Sequence, residues 1–459
     1  LREEDLLRQF TGNRSFLWLR RKLSPEQMQS VHEIGEPGLL FAPREARLYP
    51  NGRLAAHILG GAGFGTEDVR AAEVIGTAGI ERALDARLRD PAALATPLAL
   101  TLDLTVQAAV TEVLGAGMRM LNAKGAAAIV MEARTGEIVA MVSLPDFDPN
   151  DRPTPPTQGD PAQSPIFNRA VQGVYELGSV MKVFPIAQAL DLGQVTPETM
   201  VNTTSPMQLG RFRVRDFRNY GPQLSVSDVF VKSSNVGTVR LNDPIGTVRQ
   251  EAFLKSLGFL DPVPLELVEA STGRPQVPAR WNEISAATIS YGHGLSGSPL
   301  HLAVGYAAMV NGGWKVAPTL VRGAERPAPV RVMTERTSAQ LRAMMRRVVT
   351  EGTAKLAEVR GYPFGGKTGT ADKPNPQGGY HRDRVIATFA GAFPIDAPQY
   401  VIVVSLDEPV ETSGTEARRT AGWTAAPVTG AIVGRIAPLL GIAPVIEPAV
   451  LPAVTRARN

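Results

Sequence analysis

The 459-residue sequence predicts an α+β fold whose sheet is built from distant parts of the chain. Apolar runs of strand length lie near residues 126–143 and again after residue 365, with glycine and proline clusters at their ends. Residues 170–355, between these two groups, carry mostly helical patterns. Strands that come early and late, with helices between them, predict one sheet that both groups complete.

The first 97 residues mix short periodic segments with glycine-rich loops. They are predicted to form a separate N-terminal domain, because the hairpin at 126–143 and the strands after 365 can close a sheet without them. The alternative is a single domain whose core the N-terminal part completes. The run Gly60–Gly65 resembles a nucleotide-binding loop. Without the strand and helix that flank such loops, it is interpreted as an ordinary loop. Pro91 and Pro97 bracket a predicted hinge. The second domain is therefore expected to span residues 98–459.

The second domain is predicted to open with a strand at Leu98–Leu104 and a helix at Thr105–Met120. A hairpin follows, in which the apolar runs Ala126–Glu132 and Glu137–Ser143 flank a turn with Gly136. The last elements are three strands and a helix, predicted at Gly365–Ala371, Val385–Phe393, Tyr400–Leu406 and Ala425–Leu440.

The composition excludes several classes of function. The absence of cysteine excludes disulfides, thiol catalysis and zinc–thiolate sites. The five histidines form no short metal-binding spacing, so we expect neither a catalytic metal nor another cofactor. The net charge is +4 without a block of like charges, and we expect no nucleic-acid partner. No run of 18 apolar residues predicts a transmembrane helix.

The first candidate catalytic motif is Ser179-x-x-Lys182. Gly178 precedes it and an apolar helical pattern continues to Leu190, which places Ser179 at a helix N-terminus. A serine there is often only an N-cap. Lys182, however, lies on the same helix face, and a desolvated lysine of lowered pKa can deprotonate a serine. Pro185 predicts a kink or an opened turn in this helix.

Two further motifs follow, Ser233-Ser234-Asn235 after a short helix and Lys367-Thr368-Gly369-Thr370 on a predicted strand. A hydroxyl and an amide in the first could relay a proton and bind a peptide carbonyl, although a polar turn is the simpler interpretation. The glycine-rich strand could pair with an extended peptide, and its lysine suits a terminal carboxylate. We expect this lysine to lower the pKa of Lys182, and a side chain at Gly369 to push a bound peptide away.

Together, in this order, the three motifs are the signature of penicillin-binding proteins and class A β-lactamases, here with Ser234 at the middle position. The sequence resembles the class B penicillin-binding proteins, the monofunctional peptidoglycan D,D-transpeptidases, and most of all their division-specific, septal type. Other matching segments run along almost the whole chain: Arg44-x-x-Arg47-x-Tyr49-Pro50, Gly79–Glu81, Thr135–Met141, Asp146–Asn150 and Tyr291–Leu295. Leu177 departs from the family's usual proline.

The resemblance implies a role for each matching residue. Ser179 would be the acylated nucleophile and Lys182 its general base, with an oxyanion hole formed by the backbone N–H groups of Ser179 and Thr370. Ser233 would pass a proton to the leaving D-alanine, and Asn235 would hold the peptide amide. The implied catalytic residues are Ser179, Lys182, Ser233, Asn235 and Lys367, and the implied substrate-binding residues are Ser234, Thr368, Gly369 and Thr370.

The resemblance also implies the architecture and the biology. A transpeptidase domain with a five-stranded antiparallel sheet flanked by helices would follow an N-terminal pedestal of the dimerisation type. The enzyme would cross-link peptidoglycan stem peptides during septal synthesis, as a serine-type D-Ala-D-Ala transpeptidase/carboxypeptidase, and β-lactams would acylate it. Its partners would include membrane proteins of the division complex, among them a glycosyltransferase. An upstream segment would anchor it in the inner membrane, with the catalytic domain in the periplasm.

Three other interpretations stay open. An elongation-specific transpeptidase shares the mechanism, although Glu351–Lys355 and Asp407–Pro409 favour the division type. A β-lactamase uses the same motifs, but no deacylating glutamate of the class A kind can be identified in the sequence. A catalytically silent division scaffold is disfavoured because every motif residue is present.

Overall fold

The computed structural model describes residues 3–10, 17, 19, 23–41, 47–64, 74–93, 95–210 and 212–445. Arg44 and Gly65, which the sequence analysis singled out, lie outside these residues. The chain divides into two compact units, one formed by Leu1–Pro50 and Gly63–Ile75 and the other by Asn51–Ala62 and Gly76–Asn459. The boundary expected near residue 98 stays a prediction.

The described residues form fourteen α-helices and fifteen strands. The helices are α1 (Glu3–Gln9), α2 (Pro25–His32), α3 (Ala56–Leu59), α4 (Gly79–Ala83), α5 (Asp85–Leu88), α6 (Leu104–Met120), α7 (Val183–Asp191), α8 (Val226–Lys232), α9 (Asn235–Asn242), α10 (Thr247–Leu257), α11 (Glu283–Ser290), α12 (Pro299–Val310), α13 (Glu335–Thr350) and α14 (Ala425–Ile436). The strands are β1 (Gly61–Phe64), β2 (Val74–Ala78), β3 (Gly125–Glu132), β4 (Ile138–Leu144), β5 (Tyr175–Glu176), β6 (Met200–Asn202), β7 (Met207–Leu209), β8 (Phe212–Val214), β9 (Gln223–Ser225), β10 (Ser296–Gly297), β11 (Trp314–Lys315), β12 (Val330–Arg331), β13 (Gly365–Pro374), β14 (Tyr380–Phe393) and β15 (Tyr400–Asp407). Short 3-10 helices lie at Pro91–Ala93, Pro149–Asp151, Pro161–Gln163, Gly178–Lys182, Val268–Thr272 and Lys355–Ala357.

In the first unit, the start of α2 follows from local chemistry. The Ser24 side chain accepts a hydrogen bond from the N–H of Gln27, and the Gln27 side chain accepts one from the N–H of Ser24. Pro25 occupies the first helical position, where its missing N–H costs nothing.

The second unit is organised around a five-stranded antiparallel sheet in the order β13-β14-β15-β3-β4. The early hairpin β3–β4 and the late strands β13–β15 therefore join one sheet, which confirms the predicted α+β class. β15 pairs with β3, from Tyr400 opposite Glu132 to Asp407 opposite Gly125. All eight residues of β15 are buried, as expected for a central strand covered on both faces.

Helices cover this sheet. α12 packs against β3, β14 and β15, and all twelve of its residues are buried, so its sequence is apolar all round. α6 and α14 pack against each other and against the sheet, and α13 lies along β13. Within the described residues, no helix combines the length and the apolar character that a membrane span needs.

The predicted strand at Leu98–Leu104 is wrong. In the structure this segment makes one isolated bridge, between Leu100 and Val321, and α6 already begins at Leu104. The side chain of Asp103 accepts hydrogen bonds from the first N–H groups of that helix, which ends the extended stretch. The alternating pattern was real, but the backbone hydrogen bonds of this segment go singly to Leu320, Arg322 and Val139 and form no continuous ladder.

The proline expected to disturb the nucleophile's helix lies in the first turn of α7, which begins at Val183. An amide at this position has no partner within the helix, so Pro185 costs little there. The preceding residues Gly178–Lys182 form a 3-10 helix instead of an α-helical turn. The kink or opened turn predicted at Pro185 is therefore not seen, since α7 runs through the proline and the departure from α-helical geometry precedes it.

Candidate active site

The turn that carries Ser179 is fixed from three sides. Gly178 has a φ of +61°, and a Cβ atom there would lie 2.6 Å from the carbonyl oxygen of Thr370, so glycine is needed for two reasons. The N–H of Gly178 donates to the carbonyl of Gly292, at 3.1 Å. The buried hydroxyl of Tyr306 donates to the carbonyl of Val180, at 2.7 Å. Strand β13, the loop after α11 and Tyr306 of α12 thus set where Ser179 lies.

Ser179 and Lys182 face the same side of this turn, because residues three apart eclipse each other in a 3-10 helix. Lys182 is fully buried, and its Nζ donates to the carbonyl oxygen of Ser233 at 2.6 Å and lies 3.1 Å from the Ser233 Oγ. Ser179 is half-buried, and its hydroxyl makes no hydrogen bond with any residue that the structure describes. The hydroxyl is therefore available to a substrate.

Ser233 joins two lysines that are far apart in sequence. Its Oγ lies 3.1 Å from the Nζ of Lys182 and 2.9 Å from the Nζ of Lys367. Ser233 follows the last residue of α8 with a φ of +65°, an uncommon conformation for a residue with a side chain. Such strain often marks a functional site, and here it directs both oxygens of one serine at Lys182.

The charges of the two lysines are coupled. Burial lowers the pKa of Lys182 well below its ordinary value, the positive charge of Lys367 lowers it further, and the carboxylate of Asp216 acts in the opposite direction. Burial lowers the pKa of Lys367 to about 7. Two positive charges around one hydroxyl are unfavourable, which favours the neutral form of Lys182, and a neutral lysine can act as a base. The influence of Lys367 on Lys182 is as predicted from the sequence.

The loop after Ser233 is held by an acidic residue that the sequence analysis missed. Asp216 accepts hydrogen bonds from the Ser234 hydroxyl at 2.8 Å, from the Asn235 N–H at 2.5 Å and from the Val236 N–H at 3.0 Å. Ser234 is fully buried and also caps α9, by accepting from the N–H of Gly237. The structure therefore does not bring Ser234 to the open side of the site.

Asn235 lies at the edge of the same loop, half-buried, with its side-chain Nδ2 donating to the carbonyl of Arg215 at 2.9 Å. This bond fixes the orientation of the amide. The signal that could have revealed Asp216 is weak, since it is one acid within an arginine-rich stretch and follows no motif.

The third motif lies on β13, at the edge of the sheet. Lys367 is fully buried, and its Nζ also donates to the carbonyl of Thr368, at 3.0 Å. The Thr368 hydroxyl lies 2.6 Å from that of Thr353, and the Thr370 hydroxyl accepts from the N–H of Ala421. These contacts fix the rotamers of the two threonines along the edge.

Gly369 matters for a different reason from the one predicted. A Cβ atom there would lie 2.6 Å from the carbonyl oxygen of Leu177 and 2.9 Å from the N–H nitrogen of Val180. It would therefore collide with the turn that carries Ser179, and not with a peptide bound on the open side. The glycine allows β13 and the nucleophile's turn to approach closely.

A second cluster missed by the sequence analysis lies just before the nucleophile. Glu176 accepts from the Gly294 N–H at 2.7 Å and from the Tyr380 hydroxyl at 3.0 Å, and its other oxygen lies 2.9 Å from Nδ1 of His293. Burial favours the neutral carboxyl, but these hydrogen bonds outweigh it and the pKa of Glu176 is lowered. The cluster ties the first residue of β14 and the loop after α11 to β5.

Comparison with known families gives two matches. Residues 126–433 match the family model described as the penicillin-binding protein transpeptidase domain, which covers all three motifs. Residues 2–92 match the model described as the penicillin-binding protein dimerisation domain.

Among curated proteins, the chain is 36% identical over 432 residues to the probable peptidoglycan D,D-transpeptidase FtsI of Caulobacter vibrioides, covering 92% of this chain and 70% of that protein. It is 28% identical to the peptidoglycan D,D-transpeptidase FtsI of Escherichia coli, covering 94% and 73%.

Solved structures agree. Penicillin-binding protein 3 of Mycobacterium tuberculosis, crystallised with aztreonam, superposes with a TM-score of 0.74 at 29% identity, covering 87% of this chain and 92% of that one. The apo transpeptidase domain of penicillin-binding protein 3 from Burkholderia pseudomallei gives a TM-score of 0.66 at 31% identity, covering 77% and 99%. With both domains matched and the motif residues gathered around Ser179, the chain belongs to the penicillin-binding protein transpeptidase family.

Proposed function

We propose that this chain is a serine-type D,D-transpeptidase that cross-links peptidoglycan stem peptides. The observation that carries the proposal is the chain of contacts from the buried Lys182 through Ser233 to Lys367, beside the unbonded hydroxyl of Ser179. A neutral amine, a relay hydroxyl and a cation in this order are what acyl transfer from a peptide with a terminal carboxylate needs.

In the proposed reaction, neutral Lys182 takes the proton of the Ser179 hydroxyl while its Oγ attacks the carbonyl carbon of the penultimate D-alanine. The peptide C–N bond breaks, and the leaving nitrogen of the last D-alanine receives a proton through Ser233. An ester on Ser179 remains. The amine of a second stem peptide then attacks this ester, a new peptide bond forms, and Ser179 regains its proton.

The oxyanion of each tetrahedral intermediate is assigned to the backbone N–H groups of Ser179 and Thr370. The close approach of their backbones supports this, since a Cβ atom on Gly178 would lie only 3.0 Å from the nitrogen of Thr370. Such fixed donors are typically worth about 3 kcal/mol each in the transition state.

Substrate binding is assigned to the edge of β13 and to the loop beside it. Lys367, Thr368 and Thr370 would bind the terminal carboxylate, while Asn235 would donate to a peptide carbonyl. Gly369 and Ser234 would support the site without touching the substrate. Gly369 leaves room for the turn that carries Ser179, and Ser234 links Asp216 to α9 by hydrogen bonds. β-Lactams would occupy the same site and acylate Ser179.

The biological setting is part of the proposal. Two relatives bear the name FtsI, which supports septal synthesis over elongation. Because the substrate is peptidoglycan, the catalytic domain would lie in the periplasm, at the inner membrane. Its partners would be proteins of the division complex, including a glycosyltransferase. The pedestal would comprise residues 1–97 and the transpeptidase domain residues 98–459, which the family matches at 2–92 and 126–433 support.

The test is acylation by a fluorescent penicillin, followed by intact-mass analysis and peptide mapping. One adduct on Ser179 is expected, and Ser179→Ala should remove it. Ser256→Ala, which changes an exposed serine on α10, is the matched control and should label like the parent. An adduct on another residue would contradict the assignment, and rapid turnover of the penicillin without a stable adduct would favour a β-lactamase instead.

A further inference from the structure

A group of exposed arginines lies next to the candidate active site and has no part in the proposed chemistry. Arg213 lies on β8, and Arg215, Phe217 and Arg218 follow in the next turn, all with exposed side chains. Phe217 is 82% exposed. We call these four residues the arginine lip.

The lip is attached directly to the Ser233–Asn235 loop. The carbonyl of Arg215 accepts from the Asn235 side chain, and the neighbouring Asp216 accepts from the N–H of Asn235. Val214, in the middle of the lip, is buried in a small apolar cluster with Val236 and Val239 of α9. The backbone of the lip is thus fixed against the residue assigned to hold the substrate's amide.

The positive charges of the lip are not neutralised from within. Arg213 donates only to the side-chain oxygen of Gln208, which is neutral. The guanidinium groups of Arg215 and Arg218 make no hydrogen bond or ion pair with the residues described in the structure. Asp216 is the one acid between residues 200 and 225, and its oxygens already face the N-terminus of α9.

Several exposed, unpaired arginines beside one site attract negatively charged ligands. The guanidinium group recognises a carboxylate in particular, because its paired N–H donors match the two carboxylate oxygens. A donor peptide whose terminal carboxylate lies at Lys367 and whose amide lies at Asn235 would continue past Asn235. Its residues two or three positions upstream lie roughly 7–10 Å from the attacked carbonyl, since an extended chain advances about 3.4 Å per residue.

We propose that the arginine lip binds a carboxylate of the donor stem peptide, two or three residues before its D-Ala-D-Ala terminus. The lip therefore selects acidic donor peptides over neutral ones, and Phe217 supplies an apolar surface beside the charge. This inference rests on the proposed transpeptidase function, because that function assigns the direction in which the bound donor peptide extends away from Ser179.

The experiment compares two synthetic pentapeptides, acetyl-L-Ala-γ-D-Glu-(Nε-acetyl-L-Lys)-D-Ala-D-Ala and the same peptide with the D-Glu α-carboxylate converted to an amide. Each is tested for the concentration that halves the rate of labelling by a fluorescent penicillin. In the parent protein the carboxylate peptide should protect at about fivefold lower concentration, equivalent to about 1 kcal/mol, and added salt should reduce this ratio.

The double variant Arg215→Gln/Arg218→Gln should bring the ratio of the two concentrations close to one. The control Arg336→Gln/Arg435→Gln removes two other exposed arginines, from α13 and α14, and should keep the parent ratio. Equal protection in the parent, or an unchanged ratio in the lip variant, would overturn the inference alone. Failure of the parent to be labelled at all would overturn the proposed function instead.

Discussion

Replacing Asp216 by asparagine tests whether one carboxylate both holds the Ser233–Asn235 loop and tunes the proposed base. An asparagine keeps the shape but offers a single acceptor oxygen. The Ser234 hydroxyl accepts a hydrogen bond from the N–H of Gly237 and donates its own proton to Asp216. In the variant the Asn NH₂ group would face this hydroxyl proton, and that hydrogen bond would be lost.

The cost can be worked from the three contacts. The lost bond to a charged group is worth about 1.5–3 kcal/mol when buried, and the bonds from the N–H groups of Asn235 and Val236 weaken to neutral ones. Because Asp216 is only half-buried, we expect a loss of about 2 kcal/mol. For a unit of roughly 400 residues, the unfolding entropy of about 0.8 kcal/mol/K converts this to a fall in Tm of about 2–3 °C.

The pH profile gives the second readout. The negative charge of Asp216 raises the pKa of Lys182, so removing it should lower that pKa. Neutral Lys182 would then persist to lower pH, and the acid limb of the rate of penicillin acylation should move to lower pH even as the maximum rate falls. A purely structural role would reduce the rate without moving the limb.

The assay is stopped-flow acylation by a fluorescent penicillin across pH, together with a thermal melt. Asp103→Asn is the matched control, because Asp103 also accepts from two helix N–H groups but caps a different helix, α6. It should leave the pH profile unchanged. An acid limb that stays in place, or moves to higher pH, in Asp216→Asn would refute the electrostatic reasoning.

Three other variants have defined outcomes. Lys182→Arg should acylate at least a hundredfold more slowly in the same assay, because guanidinium stays protonated, and a near-parental rate would show that the residue supplies only charge. Lys367→Met should move the acid limb of acylation to higher pH, since the neighbouring charge that lowers the pKa of Lys182 is gone, and an unmoved limb would contradict the coupling. Gly369→Val should reduce both the acylation rate and the Tm, because its side chain meets the backbone at Leu177 and Val180, and an unchanged Tm in a thermal melt would contradict this packing.

Local patterns predicted the elements whose neighbours are close in sequence. The hairpin at β3–β4 has a glycine turn between apolar runs, and the late strands are bounded by glycine and proline, so both groups could be recognised without knowing their partners. The segment Leu98–Leu104 alternates as well as any of them. Whether it becomes a strand depends on forming a continuous ladder of backbone hydrogen bonds with a neighbour, and alternation carries no information about that.

The motifs predicted the identity of the site residues well, but they predicted the contacts of those residues less completely. The link from Lys182 through Ser233 to Lys367 could be inferred because three separate motifs all had to serve one site. Asp216 had no such signal, since it reaches Ser234 only after β7 and β8 form a hairpin on α9. The direction in which Gly369 faces was likewise set by tertiary packing, and the sequence could not supply it.

The order of strands in the sheet has a consequence for how the polypeptide acquires its structure as it is made. Once β3 has paired with β4, its other side awaits β15, which follows only after roughly 255 further residues (145–399). At ~5–20 residues per second, that side stays unpaired for roughly 15–50 s of synthesis. An open apolar strand edge is a template for wrong pairing. We therefore expect slow refolding from denaturant and aggregation that rises with concentration, measurable by light scattering, until the last strand is in place.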